Sequence, residues 1–363
     1  MIMSSGHRRS IATAALLSAV LVSGCAGSPP PQAPQLATTS AAYSGVGNVP
    51  FAALSRGEAT ASGAPALRFA WPVPTEATVL EENVRPGIVS RSRYRFTAEP
   101  SSDQKSVLLH TSESSLEVVE AQPDKALEVR AVEAFLAAMN ESPKPMQVSS
   151  EGAFADWKPD MERLFEVTER YLPDSPESQV FLAMLRPGGS LETQMKTAAK
   201  SWWNGAVGGW VGLDLVPGEE RTLDYRSQTN GRSIPQQVTV RHVGSSTLCD
   251  GCIRLQMVIV TEGAEATAAV AEASRRMAES ALQEAVKSGM TQGASGLSGT
   301  QRREAVEAMS RVDEVSKVVT VDLVTEAATL LPHRVVMETT TTVSAQGKRH
   351  AMTTKNSYHY SWL

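Results

Sequence analysis

The two cysteines at positions 249 and 252 are the residues with the clearest potential for chemistry in this 363-residue chain. The segments 238–243 and 253–261 on either side alternate like strands, and Asp250-Gly251 is a favoured two-residue hairpin loop of type I′. Such a loop would place Cys249 opposite Cys252, within bridging distance. If the chain is exported, which the N-terminal residues discussed below predict, oxidation of this pair is the default, and we expect a structural disulfide that pins this hairpin.

Two other interpretations of Cys249 and Cys252 stay open. A redox-active dithiol usually lies at a helix N-terminus, where the dipole lowers the thiol pKa, and strands flank this pair instead. A zinc site would need two further ligands, and His242 is the only histidine close in sequence.

A tryptophan-rich segment, Ser201–Trp210, holds three of the six tryptophans: Trp202, Trp203 and Trp210. On a helix, Trp203, Val207 and Trp210 would share one face. Glycines 205, 208, 209 and 212 weaken a helix, so close approach to another element should compensate. The segment is either core packing against a sheet, or the wall of an apolar ligand pocket or a wedge against the membrane.

Three arginines, Arg91, Arg93 and Arg95, share one face of the predicted strand Ser90–Ala98. Guanidinium groups at this spacing could bind lipid phosphates or acidic glycans. The alternative is the ordinary solvated side of a strand.

The sequence contains none of the common catalytic signatures, such as HExxH, GxSxG, a phosphate-binding loop or GxGxxG. We therefore assign no catalytic residue, no metal site and no cofactor, and we lean against an enzyme. A triad dispersed along the chain would leave no such signature.

Composition favours a folded body, with 42% hydrophobic and 20% charged residues. The formal net charge is −5, and no basic block is present. Because phosphate backbones are bound by clustered Lys and Arg, we expect no nucleic acid partner.

The N-terminal residues predict export. Arg8 and Arg9 precede an apolar run, Ile11–Val22, which is too short to span a bilayer and is typical of a cleaved signal peptide. Val22-Ser23-Gly24-Cys25 resembles the bacterial lipobox. That resemblance implies cleavage after residue 24, a diacylglyceryl thioether on Cys25 and acylation of the new amino group. The alternative is an ordinary secretory signal.

The resemblance also implies where the protein lies. Since Ala26, and not Asp, follows Cys25, a Gram-negative lipoprotein of this type would be lipid-anchored in the outer membrane and face the periplasm. Residues 25–62 would be the lipidated cysteine and a tether rich in Pro, Ser and Ala, because residues 26–55 carry no charge and too few bulky apolar side chains to fold.

Residues 63–363 should form a single body in which strand-rich and helix-rich segments alternate. Helical blocks are predicted near 125–212 and 264–310, and strands occupy most of the rest. Short connections between strands imply antiparallel pairing. We predict an α+β fold, a large curved antiparallel sheet like a half-barrel, with two helical insertions.

The three closing strands and their Leu-Pro-x-Arg start at 331–334 resemble the half-barrel lipoprotein carriers of the LolA/LolB type, and the body is also similar to envelope lipoproteins of unassigned function. The resemblance implies an envelope lipoprotein that binds a lipid or another apolar ligand. The alternative is an envelope module that docks a protein partner, and a hydrolase without a recognisable motif ranks below both.

Overall fold

The computed structural model describes residues 65–175, 178, 182, 190–229, 232–287, 306–307, 311–345 and 347–363. The signal segment, Cys25, the tether and most of the predicted short helix at 302–310 lie outside these residues. The strands are β1 (Thr75–Arg85), β2 (Ile88–Pro100), β3 (Ser106–Ala121), β4 (Met146–Ser149), β5 (Phe154–Trp157), β6 (Glu220–Thr229), β7 (Arg232–Ser245), β8 (Cys252–Glu262), β9 (Glu314–Glu326), β10 (Pro332–Ala345) and β11 (Lys348–Trp362). The helices are α1 (Ala126–Glu141), α2 (Met161–Tyr171), α3 (Ser190–Trp203) and α4 (Ala264–Lys287).

All eleven strands belong to one antiparallel sheet in the order β5-β4-β3-β2-β1-β11-β10-β9-β8-β7-β6. The last strand of the chain pairs with the first, with Ala77 opposite Trp362, and every other pair of neighbours is consecutive in sequence. The sheet is open, and β5 and β6 are its edges. The predicted fold class, an α+β protein with a large curved antiparallel sheet and two helical insertions, is confirmed.

Two details of the predicted elements are wrong. The block at 125–212 is not purely helical, because β4 and β5 lie inside it and extend the sheet from β3. Four residues are too few for alternation to stand out from the helical period around them. The sequence at 105–111 and again at 116–121 predicts two short strands, whereas the structure has one strand, β3, whose alternation is broken where Ser112 and Ser115 pair with Arg95 and Arg93.

One face of the sheet is buried by the helices, and we call it the covered face. Alternate residues of each strand point to it, as Ala77 and Val79 of β1 do with no exposed surface. α1, α2 and α3 belong to the first insertion and share one continuous hydrophobic core with the strands. α4 packs against β7, β8 and β9.

The chain leaves α3 through a wide helical turn, Asn204–Gly208, that lies against β9 and β10. A Cβ atom on Gly205 would come within 2.0 Å of the Met337 methyl carbon on β10. The glycine therefore permits close approach of helix and sheet, as its position in the sequence suggests. In the described part of the chain, none of the helices combines the length and apolarity needed to span a membrane.

Candidate functional site

The cysteine hairpin differs from the predicted two-residue loop. β7 ends at Ser245 and β8 begins at Cys252, so six residues, 246–251, connect them. The register places Val238 and Val240 opposite Ile259 and Met257. Burial of this apolar set decides the register over the local preference of Asp-Gly.

The cysteines themselves lie at the two ends of a β-turn, with Cα atoms 5.3 Å apart, and the structure joins them as a disulfide. Gly251 has φ +71°, whereas Asp250 does not have a positive φ, so the turn is of type II and not of type I′. This geometry agrees with the expected disulfide. Whether the bond forms in the cell stays a prediction.

A histidine that the sequence does not bring near, His333, completes a cluster with Cys249 and Cys252. One ligand atom from each of the three residues lies within 4.8 Å of the others. Pro332 pairs with Thr325 and Arg334 with Val324, so His333 is the extra residue of a β-bulge at the start of β10. Bulges redirect side chains, and this one turns His333 away from the covered face.

Glu326, at the end of β9, adjoins this cluster. It lies opposite Cys252 in the β8–β9 register, and its Oε1 is 3.4 Å from Nε2 of His333. Ala327 N–H donates to the carbonyl of Gly251 at 3.3 Å, which ties the β9–β10 turn to the cysteine turn. We call Cys249, Cys252, Glu326 and His333 the thiol–imidazole cluster.

His242, the histidine nearest to the cysteines in sequence, is not part of that cluster. It points to the covered face opposite Leu255, and its Nδ1 is 3.0 Å from the carbonyl oxygen of Leu215. The alternation of β7 puts this histidine among buried residues, so it is a core residue.

The three tryptophans fall into two groups. Trp203 and Trp210 have no exposed surface, and their indole N–H groups donate to the carbonyls of Gly152 and Gly205 at 2.8 and 2.7 Å. Both rings are therefore packed and hydrogen-bonded core residues. Trp202 is half-buried and contacts the rings of Phe96, Trp203 and Tyr358. It is the one of the three with accessible surface for a ligand.

The three arginines of β2 lie on the exposed face of the sheet, as their alternation predicts. Arg91 pairs with Glu82 at 2.9 Å, and Arg95 pairs with Glu76 at 2.5 Å and with Glu113 at 3.3 Å. Carboxylates thus already neutralise two of the guanidiniums. Anion binding by Arg91, Arg93 and Arg95 together would have to displace these ion pairs.

Under the helices of the first insertion, the covered face holds a buried polar group on β1. Glu81 is 2% exposed, and its carboxylate accepts from the hydroxyl of Ser92 at 3.3 Å. Burial, together with the Glu81 carboxylate, raises the pKa of Tyr94 and of Tyr358 well above the usual value. These phenols therefore stay protonated and serve as neutral partners in the core.

A second buried polar residue, Lys317 of β9, lies on the covered face beyond the first insertion. It is 7% exposed, and burial lowers its pKa to about 7. Among the residues that the structure describes, no carboxylate forms an ion pair with it. An amine in this setting is a candidate partner for an anionic group.

The strand registers place Lys317 at the side of a partly open strip. On the covered face, Thr341 of β10 pairs with Lys317 of β9 on one side and with Met352 of β11 on the other. Two residues earlier on β10, Thr339 pairs with Thr354 of β11. The three threonines and Met352 are half-exposed, whereas Val335 of β10 is completely buried. On β10 and β11, cover by the described helices therefore ends beyond Met337, whereas on β9 Val315, Lys317 and Val319 stay buried. We call Lys317, Thr339, Thr341, Met352 and Thr354 the open groove.

Sequence reasoning missed both Lys317 and His333, for different reasons. Lys317 lies on the same face of β9 as Val315, Val319 and Val321, because residues two apart on a strand point the same way. The strand pattern alone could therefore have placed this lysine on an apolar face. His333 has no such signal, because a bulge and the end of a neighbouring strand bring it to the cysteines.

No protein-family model matches the chain, and no curated protein matches it.

Proposed function

We propose that this protein is a lipoprotein of the cell envelope, anchored in the membrane through Cys25, whose open groove binds an amphiphilic ligand with an acyl chain and an anionic head group. In a Gram-negative cell it would sit in the outer membrane and face the periplasm. The observation that carries the ligand proposal is Lys317, a buried amine beside half-exposed side chains.

The groove has the chemistry for both halves of such a ligand. Thr339, Thr341 and Thr354 offer methyl groups and hydroxyls, and Met352 offers a flexible thioether that adapts to an apolar chain. An anionic head group next to Lys317 would supply the opposite charge that the buried amine lacks among the described residues. The tether would let the body work at a distance from its own lipid anchor.

Native mass spectrometry tests the ligand proposal on residues 63–363 exported to the periplasm without the anchor. We expect a fraction of the protein to carry a discrete added mass that dissociates as a lipid or a fatty acid. A homogeneous apo mass after gentle purification, together with no uptake of added fatty acid, would contradict it.

A protein-docking module is the second candidate, and one observation favours it. Beneath α1, α2 and α3 the covered face is filled by the protein's own side chains, including Trp203 and Trp210. Among the described residues that half of the sheet is packed core, apart from the partly exposed Trp202, and we therefore restrict the carrier proposal to the open groove. Crosslinking in cells would distinguish the two candidates, since a docking module should yield one stoichiometric protein partner.

A further inference from the structure

We propose that the thiol–imidazole cluster is a zinc site that forms when the Cys249–Cys252 disulfide is reduced. Cys249, Cys252 and His333 would be the protein ligands, and Glu326 would orient the imidazole. The site lies on the opposite side of the sheet from the open groove, so it does not depend on the proposed ligand.

The donor set is one that zinc prefers. Two thiolates and one imidazole with a fourth position open to solvent are an established zinc coordination. Zn–S bonds of about 2.3 Å and Zn–N bonds of about 2.0–2.1 Å place the ligand atoms of a tetrahedral site roughly 3.5–3.8 Å apart. The three ligand atoms of the cluster already lie within 4.8 Å of one another.

Three separate elements hold the ligands in place. Cys252 is 2% exposed at the start of β8, Cys249 belongs to the turn before it, and the bulge of β10 presents His333. The contact between Ala327 and Gly251 joins the turns that carry them. A ligand from a distant strand distinguishes this arrangement from an isolated Cys-x-x-Cys turn, which offers only two donors.

Glu326 supplies the outer partner that a zinc-bound histidine usually has. Its carboxylate lies next to the His333 ring and also accepts from the hydroxyl of Thr329 at 2.8 Å. In the zinc form it would accept the N–H of the ring nitrogen that does not bind the metal, which fixes the tautomer and increases the basicity of the ligand.

Formation of the site requires two electrons and two protons. A dithiol reductant would provide them and would itself become a disulfide, leaving two thiols in the protein. Zinc would then displace both thiol protons to solvent and bind the thiolates and the neutral imidazole. The oxidised protein cannot bind in this way, because its sulfurs carry no free thiolate.

The test uses the purified full chain, reduced and kept under anaerobic conditions, with Co²⁺ as a spectroscopic probe and Zn²⁺ as competitor. We expect one Co²⁺ per chain, the visible bands of a tetrahedral ion, a near-ultraviolet thiolate charge-transfer band, and displacement of both by Zn²⁺. The unreduced chain should give none of these signals.

Two variants and a control test the ligand assignment. Glu326→Gln should weaken Zn²⁺ affinity roughly 10–100-fold, His333→Ala should weaken it more, and His350→Ala, a change at an exposed histidine of β11, should leave it unaltered. The proposal would be overturned if His333→Ala kept the thiolate bands and an unchanged affinity for Zn²⁺. It would also be overturned if the reduced wild-type protein, shown by circular dichroism to be folded, bound neither Co²⁺ nor Zn²⁺.

Discussion

At the scale of single residues, Lys317 lies in an environment that opposes its chemistry. Its side chain is buried, and desolvation disfavours the charged amine. Natural proteins keep such a group when it has a task, because an apolar side chain of similar size would be more stable there.

The pH dependence of unfolding should reveal Lys317. Its pKa is about 7 in the folded protein and near the usual lysine value of 10.5 when the chain is unfolded. Between those values the unfolded chain binds more protons, so this residue makes stability rise with pH, by roughly 2 kcal/mol between pH 7 and pH 9. Below pH 7 both states are protonated and the penalty is constant.

Replacement of Lys317 by methionine should remove this pH dependence and stabilise the protein at pH 7. Urea unfolding at several pH values, with wild type compared to Lys317→Met, isolates the residue because other titrations cancel. Lys348→Met, at an exposed position of β11, is the control and should behave like wild type. A constant difference between Lys317→Met and wild type from pH 7 to pH 9 would contradict the account.

The same two residues show how far sequence reasoning reaches at this scale. The burial of Lys317 follows from strand alternation, because its neighbours on the same face are valines. The position of His333 does not, because a single extra residue in β10 reverses the face to which its side chain points. The turn preference of Asp250-Gly251 also gave a wrong prediction. It favoured a two-residue hairpin loop, whereas six residues, 246–251, connect β7 and β8.

At the scale of elements, the contact between the turn after α3 and strand β10 positions the first insertion on the sheet. Gly205 leaves the space that the methyl group of Met337 occupies, and a Cβ atom at this position would force that flexible side chain to move. Helix and strand are far apart in sequence, so the pair reports directly on tertiary packing.

A double-mutant cycle tests this contact. Gly205→Val should lower the free energy of unfolding by about 1–3 kcal/mol through overpacking against the Met337 methyl group. In a Met337→Ala background the same change should cost less, with a coupling of roughly 0.5–3 kcal/mol. Chemical denaturation of the four proteins gives the value, and strictly additive losses would show that the two residues do not compete for this space.

Most elements were predictable because their period is carried by many residues. β9 follows the alternation closely over most of its length, and α4 begins at the predicted residue, Ala264. The strands β4 and β5 were not predictable, because four residues each give almost no pattern and their place in the sheet depends on pairing with β3.

At the scale of the whole molecule, the covered face of the sheet has two halves that differ in how the helices pack on them. The half under α1, α2 and α3 is packed core, and the half under α4 borders the open groove. Antiparallel order could be inferred from short connections, but the pairing of β1 with β11 joins the two ends of the body and has no local signal.

Anchoring through Cys25 is the other property of the whole molecule that can be tested. In bacteria that process lipoproteins, cells grown with radiolabelled palmitate should label the wild-type protein, and Cys25→Ser should abolish the label. Cys249→Ser removes a different thiol and should keep it. Absence of label in the wild-type protein, with secretion of a soluble form, would favour an ordinary secretory signal.

Titration of residues 63–363 with cis-parinaric acid and with its methyl ester tests the proposed ligand site most directly, since the two probes share a chain and differ in charge. We predict saturable binding of about one acid per protein and a loss of at least about tenfold in affinity for the acid in Lys317→Met, equivalent to ~1.4 kcal/mol. Lys317→Met should bind the methyl ester with the same affinity as wild type does. The control Lys348→Met should bind the acid with the affinity of wild type. No saturable binding of the acid, or equal affinity in Lys317→Met and wild type, would contradict the proposal that the open groove holds an acyl anion.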